Sequence, residues 1–444
     1  DPNGRRYLSE GHYVFSVDNK SISEYYVLNP FWTWFTAKWI PESVAPNAVT
    51  FSGFLLMLLT HGLIWYNYPY FTHHESSTSG SSYDYMTGLL SCMIIPVFMF
   101  LYQTLDGCDG KQARRTKASS PLGELFDHGV DALCMTILAQ SLMSVLGISS
   151  VEYPLLCAIT HISMWYSFYT AHWEHYHTDF FFMGYIGACD GQLIIIGVYL
   201  IGLWNVLMNP AIYPTIAHYY LNNTFNLPYF NNVEISYGLG WILFAVVNAI
   251  TTNGRCIAAV LYHYWFSGKK DETPNKRNSF LGSMLDLLPL TIMSITWFTW
   301  AVLFNHHWSA PLTETPRSIV GHPVGEMKTL WQRDAMWFVT TGGLAFGMYL
   351  TTINISRVTR QPFQYLSFQN VFTVGIMLIQ VVNSMVRMTI GSPIVEEALL
   401  LRISCIVTLL VYVDFVSNVA TNFSKAMNIF VFKLGKRNPN LKKD

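Results

Sequence analysis

The feature that most constrains this chain is its succession of apolar runs. About ten of them, near residues 47–66, 84–105, 125–147, 153–171, 191–208, 236–263, 280–304, 334–356, 370–390 and 397–417, approach or exceed the roughly 20 residues a helix needs to cross a bilayer. Only 12% of the residues are charged, about half the fraction of an average soluble chain. The expected fold is therefore all-α: a polytopic integral membrane protein with about ten transmembrane helices. The sixth run is too long for one upright span and is expected to tilt or to continue past the membrane toward Tyr262 and His263. Ahead of the first run, SEYYVLNPFWTWFTAKWIP gathers aromatic residues around Lys38. Asn29-Pro30 and Pro41 interrupt it too often for a span, so it reads as an N-terminal amphipathic helix, lying in the headgroup region or packed on the protein itself.

Charge sets the orientation. Lys111, Arg114, Arg115 and Lys117 fall in one loop, Lys269, Lys270, Lys276 and Arg277 in a second, and Arg357 and Arg360 in a third; the C-terminal tail is also basic. With ten spans these all lie on one side, expected to be the cytosol, and the intervening 67–83, 148–152 and 209–235 loops hold no Lys or Arg. The 305–333 loop, with Arg317, Lys328 and Arg333, runs against the rule. Asn222-Asn-Thr is a glycosylation sequon on the opposite side. A net charge of −1 gives no global basic field for nucleic acid. The seven cysteines are scattered without a C-x-x-C pair, which points to neither a disulfide framework nor a zinc site. The opening DPNGRRYLSEGHY lacks the apolar core of a cleavable signal, so the first span is expected to serve for targeting.

One stretch carries chemistry. Asp106 and Asp109 are spaced i,i+3, and Asp127 and Asp131 i,i+4, so on helices each pair shares a face. Two such faces meeting across the short loop between them would concentrate up to four carboxylates beside two apolar segments. Like charges that close cannot all stay ionised, and charge near hydrocarbon is costly. A hard divalent cation held by oxygen ligands resolves both problems. The bland alternative is a set of solvated aspartates capping helix ends.

The full pattern, D-x-x-D-G-x-x-A-R-x₈-G-x-x-x-D-x-x-x-D, is filled at Asp106, Asp109, Gly110, Ala113, Arg114, Gly123, Asp127 and Asp131. It resembles the signature of the CDP-alcohol phosphotransferase family. LDGCDGKQARRTKASSPLGELFDHG, with NPFWTWF and APNAVTFSG upstream, is similar to the eukaryotic choline/ethanolamine phosphotransferase branch; the close resemblance runs from about Asn29 to Asp131. It implies transfer of phosphoethanolamine or phosphocholine from CDP-ethanolamine or CDP-choline to the hydroxyl of diacylglycerol, releasing CMP. It further implies Mg²⁺ or Mn²⁺ (two ions), a homodimer, and an endoplasmic reticulum or Golgi membrane. Asp106, Asp109, Asp127 and Asp131 would hold the metal, with Asp131 also near the attacking hydroxyl. Asn47, Gly110, Ala113, Arg114 and Gly123 would contact the CDP moiety: Arg114 by gripping phosphate, the small residues by letting a nucleotide approach the backbone. Without the resemblance, Asn47 would read as a helix cap and Arg114 as a membrane-surface arginine.

Glu124 and His128, i,i+4, offer a carboxylate-oriented histidine as general base for the acceptor hydroxyl, with Asp131 as the alternative base. Equally, Glu124 could cap its span and His128 face the interface. His172, His175 and His177 have ligand-like spacing but lack H-E-x-x-H, and read as interfacial histidines. Glu174 in the same HWEHY stretch could accept hydrogen bonds from a primary ammonium, which leans the headgroup toward ethanolamine. The organisation expected is an interfacial segment over 1–46, a six-helix catalytic unit over 47–268, four further helices over 269–417 with a possible dimer contact, and a basic tail over 418–444. A transporter is the rival class; it would place its charges near the bilayer midplane in two similar halves. No second copy of the aspartate motif exists in the sequence.

Overall fold

A computed structural model gives the fold. It describes residues 21, 23–68, 82–148, 150, 153–182, 186–212, 215–227, 233–266, 279–304 and 330–435; for 82–88, 304 and 330–333 it describes the backbone alone. Outside these lie the 1–20 segment, Lys269, Lys270, Lys276, Arg277, Arg317, Lys328 and the tail after Gly435.

A short helix, α1 (Asn29–Trp39), follows one π-helical turn over Glu24–Leu28. Among the described residues, ten long helices then make the body: α2 (Pro46–Asn67), α3 (Ser82–Arg115), α4 (Pro121–Leu146), α5 (Pro154–Thr178), α6 (Ala188–Met208), α8 (Tyr237–Trp265), α10 (Leu288–Phe304), α11 (Leu330–Val358), α12 (Phe368–Ile390) and α13 (Glu397–Ala426). Proline stands in the first turn of α2, α4 and α5, where its missing N–H costs nothing. Ser120, Ser236, Ser279 and Ser367 cap their helices by accepting a backbone N–H at 3.0–3.3 Å. The long sixth run is one unbroken helix, α8.

Among the described residues, eight helices are long and apolar enough to cross a membrane. The other two long helices are α5 and α11, and contacts at their ends show that they traverse the bundle as well. His172 of α5 meets His128 near the start of α4, while Cys157 at its other end bonds the Ile148 carbonyl just past the end of α4. Trp337 of α11 packs on Trp65 near the end of α2, while Arg357 reaches Glu124 at the start of α4. Both helices are sheathed by neighbours, and from Asp334 to Val358 nearly every side chain of α11 is buried. A helix hidden from lipid need not be apolar all round, so hydropathy understates it.

The 209–235 stretch, expected as a bare loop, holds α7 (Ile216–Asn222) and an antiparallel hairpin of β1 (Thr224–Leu227) on β2 (Val233–Ser236), with Thr224 opposite Ser236. A short α9 (Phe280–Met284) and a 3₁₀ turn lead into α10. At the N-terminus, Asn29-Pro30 does not interrupt the helix because Pro30 falls in its first turn; Ile40, extended ahead of Pro41, ends it. α1 lies on the end of α3. Arg115 donates to the Thr36 carbonyl at 2.8 Å and to that of Ile40, and Lys111 donates to Asn29. The Trp32 ring fills the space over Gly107, where a Cβ would come within 2.2 Å of it. The other face of α1 leaves Trp34 and Trp39 exposed.

Candidate active site

The last turns of α3 and the first turns of α4 carry the site, joined by a tight turn at 116–120. Ala118 N–H bonds the Ala113 carbonyl at 2.8 Å, Lys117 takes the left-handed conformation, and Ser120 caps α4. Gln112 ties this corner to the start of α2 by donating to the carbonyls of Pro41 (3.0 Å) and Val44 (2.7 Å). The first turn of α2, with Asn47 and Thr50, therefore faces the α3–α4 corner.

The spacing argument holds in three dimensions. One carboxylate oxygen from each of Asp106, Asp109 and Asp127 lies within 4.8 Å of the others. Asp131 borders the group beside Asp106 and accepts a hydrogen bond from Tyr102 at 2.6 Å. The Thr50 hydroxyl donates to Asp109. Asp106 Oδ1 and Asp127 Oδ1 are buried with no hydrogen-bond partner among the described residues, and none of the salt bridges there engages the four aspartates. Converging carboxylates with orphaned lone pairs and no protein cation suit a hard divalent metal. Asp106, Asp109 and Asp127 are the residues able to hold it, with Asp131 alongside.

A cavity of about 580 Å³ opens beside these carboxylates. Asn47, Gly110, Ala113, Arg114 and Gly123 all line it, as do Asp109, Asp127 and Glu124. At Gly110 a Cβ would meet nothing nearer than the Arg114 guanidinium at 3.6 Å, so its backbone faces open space. Arg114 and Lys117 put two cations on the rim. The chain after α13 supplies a further wall, from Met427 to Gly435. Nothing in the linear sequence signals that wall.

Glu124 and His128 stand one turn apart on α4, both buried. Their nearest approach, His128 Nδ1 to Glu124 Oε1, is 4.0 Å, longer than a hydrogen bond. Glu124 instead receives the guanidinium of Arg357, which the sequence placed in a surface loop and which is buried at the end of α11. His128 packs edge-on against His172 (4.6 Å between centroids) and near Phe181 (5.4 Å). His172, His175 and His177 are buried in helix packing rather than facing the headgroup region; His177 contacts Asp286 at 3.0 Å and Tyr264 at 2.9 Å. Glu174 does not line the cavity: its carboxylate takes the Arg255 guanidinium at 2.6 Å, and Arg255 in turn sits 3.6 Å over the Phe182 ring.

Residues 43–217, which contain every element of this corner except the α11 and C-terminal contributions, match the model of a known family, CDP-alcohol phosphatidyltransferase. Over that stretch the chain is similar to that family. Similar proteins agree. A human ethanolaminephosphotransferase 1 is 34% identical over 43% of this chain and 46% of its own length. An Arabidopsis thaliana choline/ethanolaminephosphotransferase 1 is 27% identical over 96% of each chain. A Saccharomyces cerevisiae cholinephosphotransferase 1 is 34% identical over 41% of this chain and 43% of its own. The matched domain is that of an enzyme family, and it sits in a body with eight helices that, among the described residues, are long and apolar enough to cross a membrane.

Proposed function

We propose that this chain transfers phosphoethanolamine, or phosphocholine, from the CDP-alcohol to the free hydroxyl of diacylglycerol and releases CMP. The observation that carries the reading is the meeting of three carboxylates, within 4.8 Å of one another, with a cavity rimmed by Arg114 and Lys117. Asp106, Asp109, Asp127 and Asp131 would hold Mg²⁺ or Mn²⁺, as two ions. The bound metal would supply Lewis-acid neutralisation of phosphoryl charge. Arg114 and Lys117 bind and orient the diphosphate, and Asn47, Gly110, Ala113 and Gly123 border the nucleotide. His128 takes the acceptor's hydroxyl proton, with Asp131 the alternative base. The acceptor oxygen bonds to the phosphorus that bears the alcohol, the bond to the CMP phosphate breaks, and its electron pair leaves with CMP.

An apolar cavity of about 130 Å³ between α4, α5, α6 and α8, lined by Met135, Leu138, Phe168, Ile195, Trp241 and Phe244, supports lateral entry of acyl chains. Phe168 touches His172, which touches His128, so that cavity lies two side chains from the proposed base. The alternation of the helices sets Arg114, Lys117, Arg360 and Lys433 at one end of the bundle with the site, which favours a cytosolic face of an endoplasmic reticulum or Golgi membrane.

The test is product formation by purified protein in liposomes containing diacylglycerol and Mg²⁺ or Mn²⁺. CDP-ethanolamine and CDP-choline are supplied in parallel, with Asp127→Ala as control. Metal-dependent phospholipid, lost in the variant, is expected, and the ratio of the two products assigns the headgroup. Folded protein that makes neither product and binds neither donor refutes the proposal.

A further inference from the structure

After α13 the described chain, Met427–Gly435, stays on the protein. Asn428, in the left-handed conformation (φ 56°), turns it back at the helix end. Ile429 N–H then bonds the Ser424 carbonyl (3.1 Å) and Asn428 N–H that of Lys425 (3.3 Å), the paired bonds of a Schellman motif. Ile429 and Val431 pack beside Leu122 and Leu125 of α4. Phe432 lies against Phe51 of α2 and Phe126 of α4, with ring centroids 5.8 and 5.4 Å away. The Val431 carbonyl accepts from Asn47 Nδ2 at 2.9 Å. A segment clipped at four points this way has a defined path, and the path follows the cavity beside the aspartates. Lys433 stands on that wall, and Arg114 and Lys117 stand on the α3 end of the same cavity.

Two chemical consequences follow. Three cations on the rim of one cavity that opens onto carboxylates suit a ligand bearing more than one phosphate: the carboxylates fit its metal and the cations its oxygens. The Val431 carbonyl can accept only from the amide nitrogen of Asn47, so it fixes that side chain with Oδ1 as the acceptor left for a ligand N–H or O–H. We infer that Met427–Gly435, which lies outside the matched family domain, forms part of the binding site for a nucleoside diphosphate ester, with Lys433 as a diphosphate contact and Phe432 as the anchor that positions the segment. This rests on the transferase reading above and adds to it a contribution from the far end of the chain.

Lys433 is exposed, so its substitution leaves the fold intact. Lys433→Ala is expected to raise KM for the CDP-alcohol about tenfold while kcat and KM for diacylglycerol stay within twofold, with Lys433→Arg close to the parent. CDP binding in the presence of Mg²⁺, measured by calorimetry without turnover, should weaken by the same factor. Phe432→Ala, which removes the anchor but no charge, should weaken CDP binding too. A parent protein that turns over and binds CDP while Lys433→Ala binds it unchanged overturns this inference and leaves the transferase reading standing. A parent that neither turns over nor binds CDP removes the transferase reading itself.

Discussion

Arg357 and Glu124 form an ion pair whose side chains are 8% and 5% exposed, so neither charge has water to fall back on. Replacing Arg357 by Met keeps an unbranched apolar stem and takes the guanidinium away from the carboxylate. Losing one partner of a buried pair costs about 3–5 kcal/mol, because the remaining charge is left uncompensated. The penalty belongs to the stranded charge rather than to lost packing, so Glu124→Gln in the same protein should return most of it. The double variant is expected to be about 2 kcal/mol or more better than the sum of the singles, the size of coupling that contacting residues show. Unfolding of all four proteins in one detergent, followed by an SDS titration, reads this directly. Turnover gives a second readout: if Arg357 positions Glu124 for His128, Arg357→Met lowers kcat while CDP binding holds. An Arg357→Met protein as stable as the parent, or a double variant no better than Arg357→Met, would refute the argument.

Three further outcomes are expected. Asp127→Asn should abolish turnover yet raise the apo protein's unfolding midpoint in chelator, because one of three crowded carboxylates has lost its charge; an unchanged midpoint speaks against the crowding. His128→Ala should cut turnover by about 10²-fold or more with CDP affinity intact, and near-normal turnover would assign the proton to Asp131 or solvent. Gly107→Ala places a Cβ within 2.2 Å of the Trp32 ring and should cost about 1–3 kcal/mol by overpacking. It should also free α1 for proteolysis at Lys38, a change that adding Trp32→Ala should reverse.

Much of this architecture was legible in one dimension because the bilayer enforces it. A span has a minimum length and an apolar character, and those marked all ten long helices to within a few residues at most ends. The aspartates were legible for a related reason. Their spacing is local, and a helix converts i,i+3 and i,i+4 into a shared face without help from the rest of the fold. Long-range partners were not legible. Arg357 reads as an orienting loop charge and is found 233 residues from the carboxylate it holds. Tyr102 looks like an ordinary span residue until Asp131 is seen beside it. Glu174 looked like a carboxylate free to meet an ammonium, and only the fold reveals Arg255 occupying it. The α7–hairpin cap was missed because short elements over 209–235 are stabilised by the helix ends they cover, not by their own pattern.

The concealment of α5 and α11 bears on how the protein comes to exist. Neither is apolar enough to qualify as a span by itself, and each carries groups that hydrocarbon would reject, Glu174 and the buried histidines on one and Arg357 on the other. Each needs partners already at hand when it enters the membrane. For α5 the partner is α4, made just before it. For α11 it is again α4, synthesised some two hundred residues earlier, whose Glu124 must wait until Arg357 emerges. Biogenesis should therefore pass through an intermediate in which the first spans are inserted but the catalytic corner is unfinished, and that species is the one a membrane quality-control system would most readily intercept.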